Sequence, residues 1–275
     1  MKREVTVIGA GISGLTTAYF LVKSGVPVRV IEKQSRVGGL LGTQRTEHGL
    51  VEMAANGLIN SVRLETLCAD IGVTLLPLQP QSRARYFWRD KPRRWPLTIG
   101  ESLRLSAGLV GHLGHWRPVA GESLAVWGNR LIGQAAVRHA LTPAMGGIYA
   151  SDADVLSASL IFNRKGLGLE PAHPNGHAKA AKPSMRGTVS PKGGMQELVD
   201  GLSAFLRQQG ITIELNQAAQ IERDAPTVIC TSATHAAELL AEHAPQTSEH
   251  LRQVELLPIV TATCFYEHSE RQPQG

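Results

Sequence analysis

Near the N-terminus the chain reads Val5-Thr-Val-Ile-Gly-Ala-Gly-Ile-Ser-Gly14, and this segment is the main evidence for the fold. Its first four residues form a short apolar run, which predicts a buried β-strand. From Gly14 to Lys23 apolar residues recur at helical spacing, and Gly25 follows as a residue that ends a helix. The apolar run from Val26 to Glu32 predicts a second strand. Residues 3–32 therefore predict one β-α-β unit with parallel strands.

The glycines of this stretch follow the pattern G-x-G-x-x-G between a strand and a helix. Gly9 would make the tight turn, Gly11 would let a pyrophosphate approach the backbone, and Gly14 would let the helix pack closely on the strand. Glu32 lies 18 residues after Gly14, where its carboxylate would bind ribose hydroxyls and repel the 2′-phosphate of NADP. Free N–H groups at the helix N-terminus would attract the phosphates. The pattern predicts a site for NAD or FAD, with Ile12 and Ser13 among its residues.

The residues after the second strand bear on the choice between NAD and FAD. They read Glu32-Lys-Gln-Ser-Arg-Val-Gly-Gly-Leu40, followed by Thr43, and resemble the E-x-x-x-R-x-G-G-x-x-x-T segment of FAD proteins in the flavin amine oxidase superfamily. A side chain at either glycine would obstruct backbone amides beside an anionic group. The resemblance implies that the Glu holds the adenosine ribose and that the Arg and the glycines run beside the pyrophosphate and the flavin. FAD is the expected cofactor, and the further expected cofactor-binding residues are Lys33, Arg36, Gly38, Gly39 and Leu40.

Three later segments resemble one branch of that superfamily. Gly49-Leu-Val-Glu-Met-Ala-Ala-Asn56 is similar to a G-x-x-x-E-x-G-P-N segment that passes by the flavin. Residues 142–157 are similar to a P-x-x-x-G-V-Y-A-G-D-x-x-x-L-S block, and Ser190-Pro-Lys-Gly-Gly-Met195 to a glycine turn that precedes a helix near the cofactor. The branch is that of protoporphyrinogen oxidase-like FAD-dependent oxidoreductases. The resemblance covers only their N-terminal part, because members continue well beyond the equivalent of Gly275.

This resemblance implies an activity and its reactants. The family oxidises a porphyrinogen to the porphyrin in haem biosynthesis by hydride transfer to the flavin, and O2 takes the electrons. Protoporphyrinogen IX and coproporphyrinogen III are both open as the substrate. Because the cofactor carries the chemistry, no catalytic side chain is assigned. Arg85 is expected to bind a substrate propionate, and Asn56 and Gly147 are expected to help line the substrate site.

The densest run of cations lies between Arg83 and Trp95 and is interleaved with aromatic residues. One interpretation is a solvated hairpin whose aromatic side chains pack inward. Another is that a guanidinium of the run, at Arg85, forms a bidentate pair with a propionate. The rest of the patch, with a predicted amphipathic helix from Ser102 to Trp116, would then rest on an anionic membrane. No nucleic-acid-binding motif accompanies the run, so a nucleic-acid partner is not expected.

The composition excludes several other classes of protein. The 275 residues are 43 % hydrophobic and carry a net charge of +5, far from the composition of disordered chains. No apolar stretch reaches the roughly 18 residues of a membrane span, and the N-terminal run enters the glycine motif at once rather than forming a secretory signal. Neither metal-binding spacing nor G-x-S-x-G occurs, so metal sites and hydrolase chemistry are not expected. The expected location is the cytoplasm, with peripheral contact at the inner face of the membrane as an open alternative.

The expected fold class is α/β, with a Rossmann-like FAD-binding domain, a mainly helical substrate domain inserted into it, and the C-terminal part of the family fold missing. The FAD-binding domain is expected from residues 1–60 and 186–257, and the substrate domain from residues 61–185. Residues 258–275 are expected to return to the substrate domain as a strand. Within this scheme the predicted helices after residue 60 span 60–71, 99–116, 122–140, 154–162, 195–209 and 234–242. After the first two strands, two short strands are predicted within 85–95, around Asp90-Lys-Pro92, and longer ones over 211–215, 227–231 and 259–266. An exposed linker spans 165–186.

Two alternatives to a porphyrinogen oxidase stay open. The chain could be a non-catalytic or truncated flavoprotein remnant that acts as a binding protein. It could also be another flavin amine oxidase or desaturase, although the basic patch would repel a cationic amine. A homodimer is also open as the assembly of this chain.

Overall fold

The computed structural model describes residues 3–83, 86–112, 115–163, 182–222 and 224–265. The chain divides into two units. Of the described residues, the first unit holds those within 3–78, 182–256 and 260–265, and the second holds those within 79–163 and 257–259. The first unit therefore extends past residue 60, the boundary expected from the sequence.

Strands and helices alternate in the first unit, whereas helices dominate the second. The strands are β1 (Val5–Ile8), β2 (Val28–Ile31), β3 (Thr43–Thr46), β4 (Gly49–Glu52), β5 (Leu58–Ile59), β6 (Leu75–Pro77), β7 (Phe87–Trp88), β8 (Pro92–Arg93), β9 (Thr188–Pro191), β10 (Ile213–Glu214) and β11 (Thr227–Ile229). The α-helices are α1 (Ile12–Lys23), α2 (Val62–Asp70), α3 (Ile99–Gly111), α4 (Leu124–Ile132), α5 (Gln134–Ala136), α6 (Thr142–Tyr149), α7 (Ala158–Phe162), α8 (Met195–Gln208), α9 (Ala233–Leu240) and α10 (Pro245–Arg252).

A four-stranded parallel sheet with the order β10-β2-β1-β11 forms the base of the first unit. The predicted β-α-β unit is confirmed, because β1 and β2 pair in parallel with Val5 opposite Val28 and α1 connects them. Helix α1 ends as expected, since Gly25 takes a left-handed φ of +67° that a glycine adopts without strain. The predicted strands at 211–215 and 227–231 are present with shorter bounds, as β10 and β11.

The core of the first unit joins this sheet to helices α1 and α8. Val7 and Val30 of the sheet are fully buried, as are Leu15 of α1 and Leu202 of α8. Burying one such side chain stabilises the fold by about 1.5–3 kcal/mol. Helix α8 buries the face that its sequence spacing predicts, and α8 packs against α1. This packing holds α1 and β1 in place, and with them the turn between Ile8 and Ile12.

Two smaller sheets of the first unit were not predicted from the sequence. Strands β3 and β4 form an antiparallel hairpin in which Thr43 lies opposite Glu52. Strand β9 pairs with both β5 and β6 in a three-stranded antiparallel sheet. These strands contain two to four residues each, too few for a period-two pattern to emerge. Strand β9 falls directly after the expected linker, 165–186, whose residues up to 181 lie outside the described ranges.

The second unit has its own apolar core, built around α4. Leu124 and Leu131 of that helix are buried, and Trp127 stacks on Phe162 with their ring centroids 4.7 Å apart. The predicted continuous helix over 122–140 is wrong, because the chain breaks at Gly133, whose φ is +81°. A residue in this left-handed conformation cannot continue a right-handed helix.

Three other predicted elements also differ from the structure. The helix expected over 99–116 ends at Gly111 as α3, and the helix expected over 154–162 is only α7, which begins after the Ser157 cap. The strand expected at 259–266 is wrong over 259–265, where the chain is irregular and exposed. Among the described residues no neighbouring strand pairs with this segment, and an apolar run without a partner does not form a sheet. Tyr266 lies outside the described residues.

No helix within the described ranges is long and apolar enough to cross a membrane. In the same residues no three His, Cys, Asp or Glu side chains are grouped so that they could hold a metal ion. Cys68 is buried in the first unit, and this burial raises the pKa of its thiol to about 11. Such a thiol stays protonated at neutral pH and is a poor nucleophile.

Candidate dinucleotide site

Gly9 and Gly14 shape the turn between β1 and α1, and the structure gives each a steric reason. Gly9 has a φ of +100°, and a Cβ there would lie 2.8 Å from the carbonyl oxygen of Cys230 at the end of β11. A Cβ at Gly14 would overlap the carbonyl oxygen of Gly9. Only glycine therefore allows this turn to fold back against α1 while it stays close to the neighbouring strand.

The N-terminus of α1 has the features of an anion site. Its N-cap is Gly11, which has no side chain and makes no capping hydrogen bond. The first turn carries no acidic residue, and Ser13 is exposed within it. The N–H groups of an uncapped helical turn carry a partial positive charge that favours phosphate. The arrangement fits the role expected for Gly11, Ile12 and Ser13.

Glu32 lies directly after β2 and is only 9 % exposed. Its Oε2 accepts a hydrogen bond from the N–H of Ala10 at 2.7 Å, and its Oε1 accepts one from the N–H of Gln34 at 2.8 Å. A carboxylate has about four lone-pair positions, so two hydroxyl donors can still bind. The backbone thus fixes the carboxylate at the ends of β1 and β2, in a geometry suited to a ribose.

Gly38 and Gly39 lie against the first glycine turn. Gly38 forms an isolated parallel bridge with Gly11, and its N–H donates to the carbonyl of Ala10 at 2.8 Å. The φ angles of Gly38 and Gly39 are +108° and +59°, and a Cβ at Gly39 would lie 3.1 Å from the Cα of Gly11. We use the name glycine cradle for the turn Gly9–Gly14 together with Gly38 and Gly39. A side chain at Gly39 would displace the backbone on the opposite side of the cradle.

Arg36 holds the second turn from within the chain itself. Its guanidinium donates to the carbonyl oxygens of Val37 and Leu41, each at 3.2 Å, and to that of Gly39 at 2.7 Å. The sequence resemblance implies that this arginine runs beside the pyrophosphate. The structure shows in addition that it binds three carbonyls of the turn that contains Gly38.

Lys33 and Leu40 lie at either end of the same segment and are exposed. Leu40 is 85 % exposed, which leaves an apolar side chain on the surface next to Gly39. Exposure at these positions is compatible with contact to a ligand. Their expected roles as cofactor contacts stay predictions.

Sequence reasoning placed Thr43 in a motif but assigned it no role, and it did not select Glu52 as a site residue. Both reach the N-terminus of α8. The Oε1 of Glu52 accepts from the N–H of Met195 at 3.0 Å, and the Oγ1 of Thr43 accepts from the N–H of Gln196 at 3.0 Å. The only signal in the sequence is their place in the family-like segments, because the contact joins residues about 150 positions apart.

The roles expected for the three substrate residues stay predictions. Asn56 is exposed in the first unit after β4, and Gly147 is exposed in α6 of the second unit. A Cβ at Gly147 would meet nothing within 4 Å, so the helix does not require glycine there. Arg85 lies outside the described residues.

Two arginines of the basic stretch are paired with carboxylates. Arg89 binds Glu101 of α3 through two hydrogen bonds of 2.7 and 3.1 Å, and Arg93 binds Asp90 at 2.9 and 2.7 Å. These arginines hold the pKa of Glu101 and that of Asp90 down at about 2. Pairing of this kind removes Arg89 and Arg93 from the cations that remain open to a partner.

Three of the four aromatic residues of the same stretch are exposed rather than packed inward, and Phe87 alone among them is half-buried. Trp88 is 72 % exposed and Trp95 is 55 % exposed. The guanidinium of Arg94 lies 5.6 Å from the ring centroid of Tyr86, which is also exposed. The hairpin β7–β8 thus presents aromatic rings and cations on the surface of the second unit.

Comparison with known proteins supports the Rossmann-like part of the fold. Residues 7–71 match the model of the NAD(P)-binding Rossmann-like domain. Coproporphyrinogen III oxidase of Staphylococcus aureus (strain NCTC 8325 / PS 47) is 25 % identical over an alignment that covers 78 % of this chain and 54 % of that protein. Protoporphyrinogen oxidase 2 of Arabidopsis thaliana is 29 % identical, with 77 % and 49 % covered. The chain spans about half the length of the curated relatives it matches.

Solved structures show the same fold. A crystal structure from Exiguobacterium sp. 255-15, provisionally named a protoporphyrinogen oxidase, aligns with a TM-score of 0.62 at 19 % identity and covers 92 % of this chain and 64 % of its own. Cyclohexylamine oxidase from Brevibacterium oxydans IH-35A aligns with a TM-score of 0.60 at 17 % identity, with 92 % and 63 % covered. The α/β fold class is confirmed, and so is the resemblance to the N-terminal part of protoporphyrinogen oxidase-like flavin oxidoreductases.

Proposed function

We propose that this chain binds FAD and belongs to an oxidoreductase that oxidises a porphyrinogen to the porphyrin in haem biosynthesis. The observation that carries the proposal is the meeting of Gly11, Gly39 and Glu32 beside the uncapped N-terminus of α1. Together they form an open backbone surface for a pyrophosphate, with a fixed carboxylate for a ribose. The names of the relatives from Staphylococcus aureus and Arabidopsis thaliana support the substrate class.

Each part of the glycine cradle has a proposed role toward the cofactor. The N–H groups of Ile12, Ser13 and Gly14 would hold the pyrophosphate, and Glu32 would hold the adenosine ribose. Gly9 would keep the turn tight, and the turn at Gly38 would bring its backbone against the cofactor. The proposed additional contacts are Lys33, Arg36, Gly39 and Leu40. FAD is preferred over NAD because the Arg36–Gly39 segment adds a second backbone turn to the Rossmann motif.

The substrate would be held by residues outside the glycine cradle. Bound FAD would supply an acceptor for the hydride that leaves a methylene bridge of the macrocycle. Arg85 would pair with a propionate, while Asn56 and Gly147 would line the site. Protoporphyrinogen IX and coproporphyrinogen III are the two substrates to compare, and O2 is the proposed electron acceptor.

Two other functions predict different measurements. A flavoprotein remnant would fold and bind FAD weakly or not at all. Another flavin amine oxidase would act on an amine, and the fold similarity to cyclohexylamine oxidase is compatible with it. Lys91 and Arg94 in the exposed hairpin favour an anionic substrate over a cationic one, because like charges repel.

An anionic membrane surface is a second proposed partner, reached from the cytoplasm. Helix α3 packs Gly108 so closely on α4 that a Cβ there would overlap the carbonyl of Leu131. Its opposite face carries Ile99, Leu103 and Val110, which are 83 %, 66 % and 66 % exposed. An exposed apolar helix face suits the interface of a bilayer. The protein should co-sediment with vesicles of phosphatidylglycerol and not with vesicles of phosphatidylcholine. Leu103→Asp should abolish co-sedimentation with phosphatidylglycerol.

The decisive experiment is direct titration of the purified chain with FAD and with NAD, followed by flavin fluorescence and protein thermal stability. We expect saturable binding of FAD that excess NAD does not displace. Binding of NAD alone would overturn the cofactor assignment, and binding of neither would favour the remnant. Porphyrin fluorescence after addition of each porphyrinogen would then test the activity, and light scattering would test for a homodimer.

A further inference from the structure

Thr43 and Glu52 form one hydrogen-bonded pair across the hairpin β3–β4. They are register partners, and the hydroxyl of Thr43 donates to the Oε2 of Glu52 at 2.8 Å. The other carboxylate oxygen, Oε1, accepts from the N–H of Met195, and the Oγ1 of Thr43 accepts from the N–H of Gln196, both at 3.0 Å. The pair therefore caps the first turn of α8 from outside that helix.

Helix α8 cannot cap itself. Its N-cap is Gly194, which has a φ of +91° and no side chain. A Cβ there would lie 2.5 Å from the side chain of Thr43 and 2.8 Å from that of Glu52, so the space of an ordinary cap is already filled. Glu197, the acidic residue of the first turn, bonds to the N–H of Gly193 instead. A carboxylate at this end also interacts favourably with the helix dipole.

The same end of α8 supports the second turn of the glycine cradle. A Cβ at Gly38 would lie 3.1 Å from the Cγ1 of Val199, so the helix touches the backbone of that turn. A Cβ at Gly42 would lie 2.7 Å from the sulfur of Met53, and the N–H of Met53 donates to the carbonyl of Gly42 at 2.9 Å. The turn is thus held between α8 on one side and the end of β4 on the other.

We propose that Thr43 and Glu52 are positioning residues for the cofactor: by joining β3 and β4 to the start of α8, they fix the turn that carries Gly38 and Gly39. Neither needs to touch the cofactor. The inference rests on the proposed binding of FAD. It adds to that proposal two residues that would hold the glycine cradle in place without contacting the cofactor. Loss of the pair should let the turn move relative to Gly11 and weaken the binding of a dinucleotide.

The test compares Thr43→Val with Thr43→Ser and Glu52→Gln in the full chain. Valine keeps the shape of threonine but loses both hydrogen bonds, whereas serine retains the hydroxyl. We expect the Kd for FAD to rise by about tenfold in Thr43→Val and to stay within about threefold of the wild type in Thr43→Ser. Glu52→Gln should have a Kd between those of the two threonine variants. Gln44→Val is the matched control, because Gln44 is exposed on the same strand.

Hydrogen exchange of the FAD-free protein separates positioning from general destabilisation. Thr43→Val should speed exchange at residues 37–42 and 195–197, while the amides of β1 keep their protection. Equal FAD affinity in Thr43→Val and the wild type, or uniformly faster exchange, would overturn the inference. If Thr43→Val does not fold, Glu52→Gln is judged by the same two criteria. Wild-type protein that binds no FAD would refute the proposed function, and the exchange pattern would still decide the positioning role.

Discussion

The Oε2 of Glu32 accepts a hydrogen bond from the N–H of Ala10 at 2.7 Å, which joins the residues that follow two neighbouring parallel strands. Glu32 therefore holds the glycine turn in place, in addition to its proposed role in binding the ribose. A buried N–H without an acceptor costs about 1–3 kcal/mol. The same carboxylate thus stabilises the fold and orients itself toward a ligand that reaches the end of the sheet.

Replacing Glu32 should consequently affect both affinity and stability. In Glu32→Ala the Kd for FAD should rise by about tenfold to a hundredfold, as expected for losing hydrogen bonds worth about 1.5–3 kcal/mol to a charged group. The free energy of unfolding should fall as well, because the N–H groups of Ala10 and Gln34 lose their acceptor. Fluorescence titration and urea unfolding measure the two effects. Glu47→Ala is the control, since Glu47 is exposed and pairs only with its neighbour among the described residues. Unchanged FAD affinity in folded Glu32→Ala would remove the ribose assignment.

Arg36 should be replaceable only in part by lysine. One guanidinium bonds to the carbonyls of Val37, Gly39 and Leu41, whereas an ammonium has no planar fork to span them. Arg36→Ala should therefore weaken FAD binding by about tenfold, and Arg36→Lys by less. The measurement is the Kd for FAD, and Arg63→Ala is the control, since Arg63 is exposed on α2. Full recovery in Arg36→Lys would show that only the charge matters.

The Rossmann part of the fold was predictable because its signals are local. Within residues 3–32 a strand, a glycine turn, a helix and a second strand follow in order, and every one is present. Gly25 is predicted to end a helix, and it takes a left-handed φ. Such features depend on neighbours in the sequence, so the sequence alone carries them.

Elements that depend on distant partners could not be predicted in the same way. Strand β9 exists because it pairs with β5 and β6, more than 100 residues earlier in the chain. The reverse error occurred at 259–265, where a suitable apolar run finds no partner among the described residues. The break of the predicted helix at Gly133 has another cause. A glycine inside a helical pattern is compatible with either a continued or a broken helix.

In the candidate site, too, the features that depend on local sequence were predictable and those that depend on side-chain directions were not. Residues of the glycine motif could be chosen from their spacing, since a turn and a helix N-terminus need particular residue types. The bonds of Arg36 to its own turn, and of Glu52 to Met195, depend on side-chain directions that a motif does not specify. A motif can therefore identify a residue of the site without showing whether it touches the ligand or the backbone that holds it.

Gly14 and Gly100 offer a matched pair of glycine-to-alanine changes within helices. A Cβ at Gly14 would overlap the carbonyl of Gly9, so Gly14→Ala should lower the free energy of unfolding and abolish FAD binding. A Cβ at Gly100 in α3 would meet nothing within 4 Å, so Gly100→Ala should stabilise the protein by about 0.5–1 kcal/mol. Urea unfolding and FAD titration of both variants test this contrast. Equal effects of the two changes would contradict the close packing of the turn on α1.

Glu65 should make the stability of the first unit depend on pH. Its carboxylate accepts hydrogen bonds from the backbone N–H and hydroxyl of Ser184, from the Nδ2 of Asn60 and from the N–H of Met185. These bonds, with the backbone N–H of Ser184 as the largest cause, lower the pKa of Glu65 from 4.5 to about 2. Helix α2 is thereby joined to the segment that leads into β9.

The sign of the effect follows from the lowered pKa. The unfolded chain binds a proton at Glu65 more readily than the folded chain does, so the contribution of Glu65 is fully present above pH 4.5 and is lost as the pH falls toward about 2. Glu65→Gln should therefore be less stable than the wild type at neutral pH, and the difference should shrink across this interval. Urea unfolding at a series of pH values measures it, with Glu47→Gln as the exposed control. A difference between Glu65→Gln and the wild type that stays constant from neutral pH down to pH 2 would show that the ionised carboxylate is not the group that holds Ser184 and Met185 to α2.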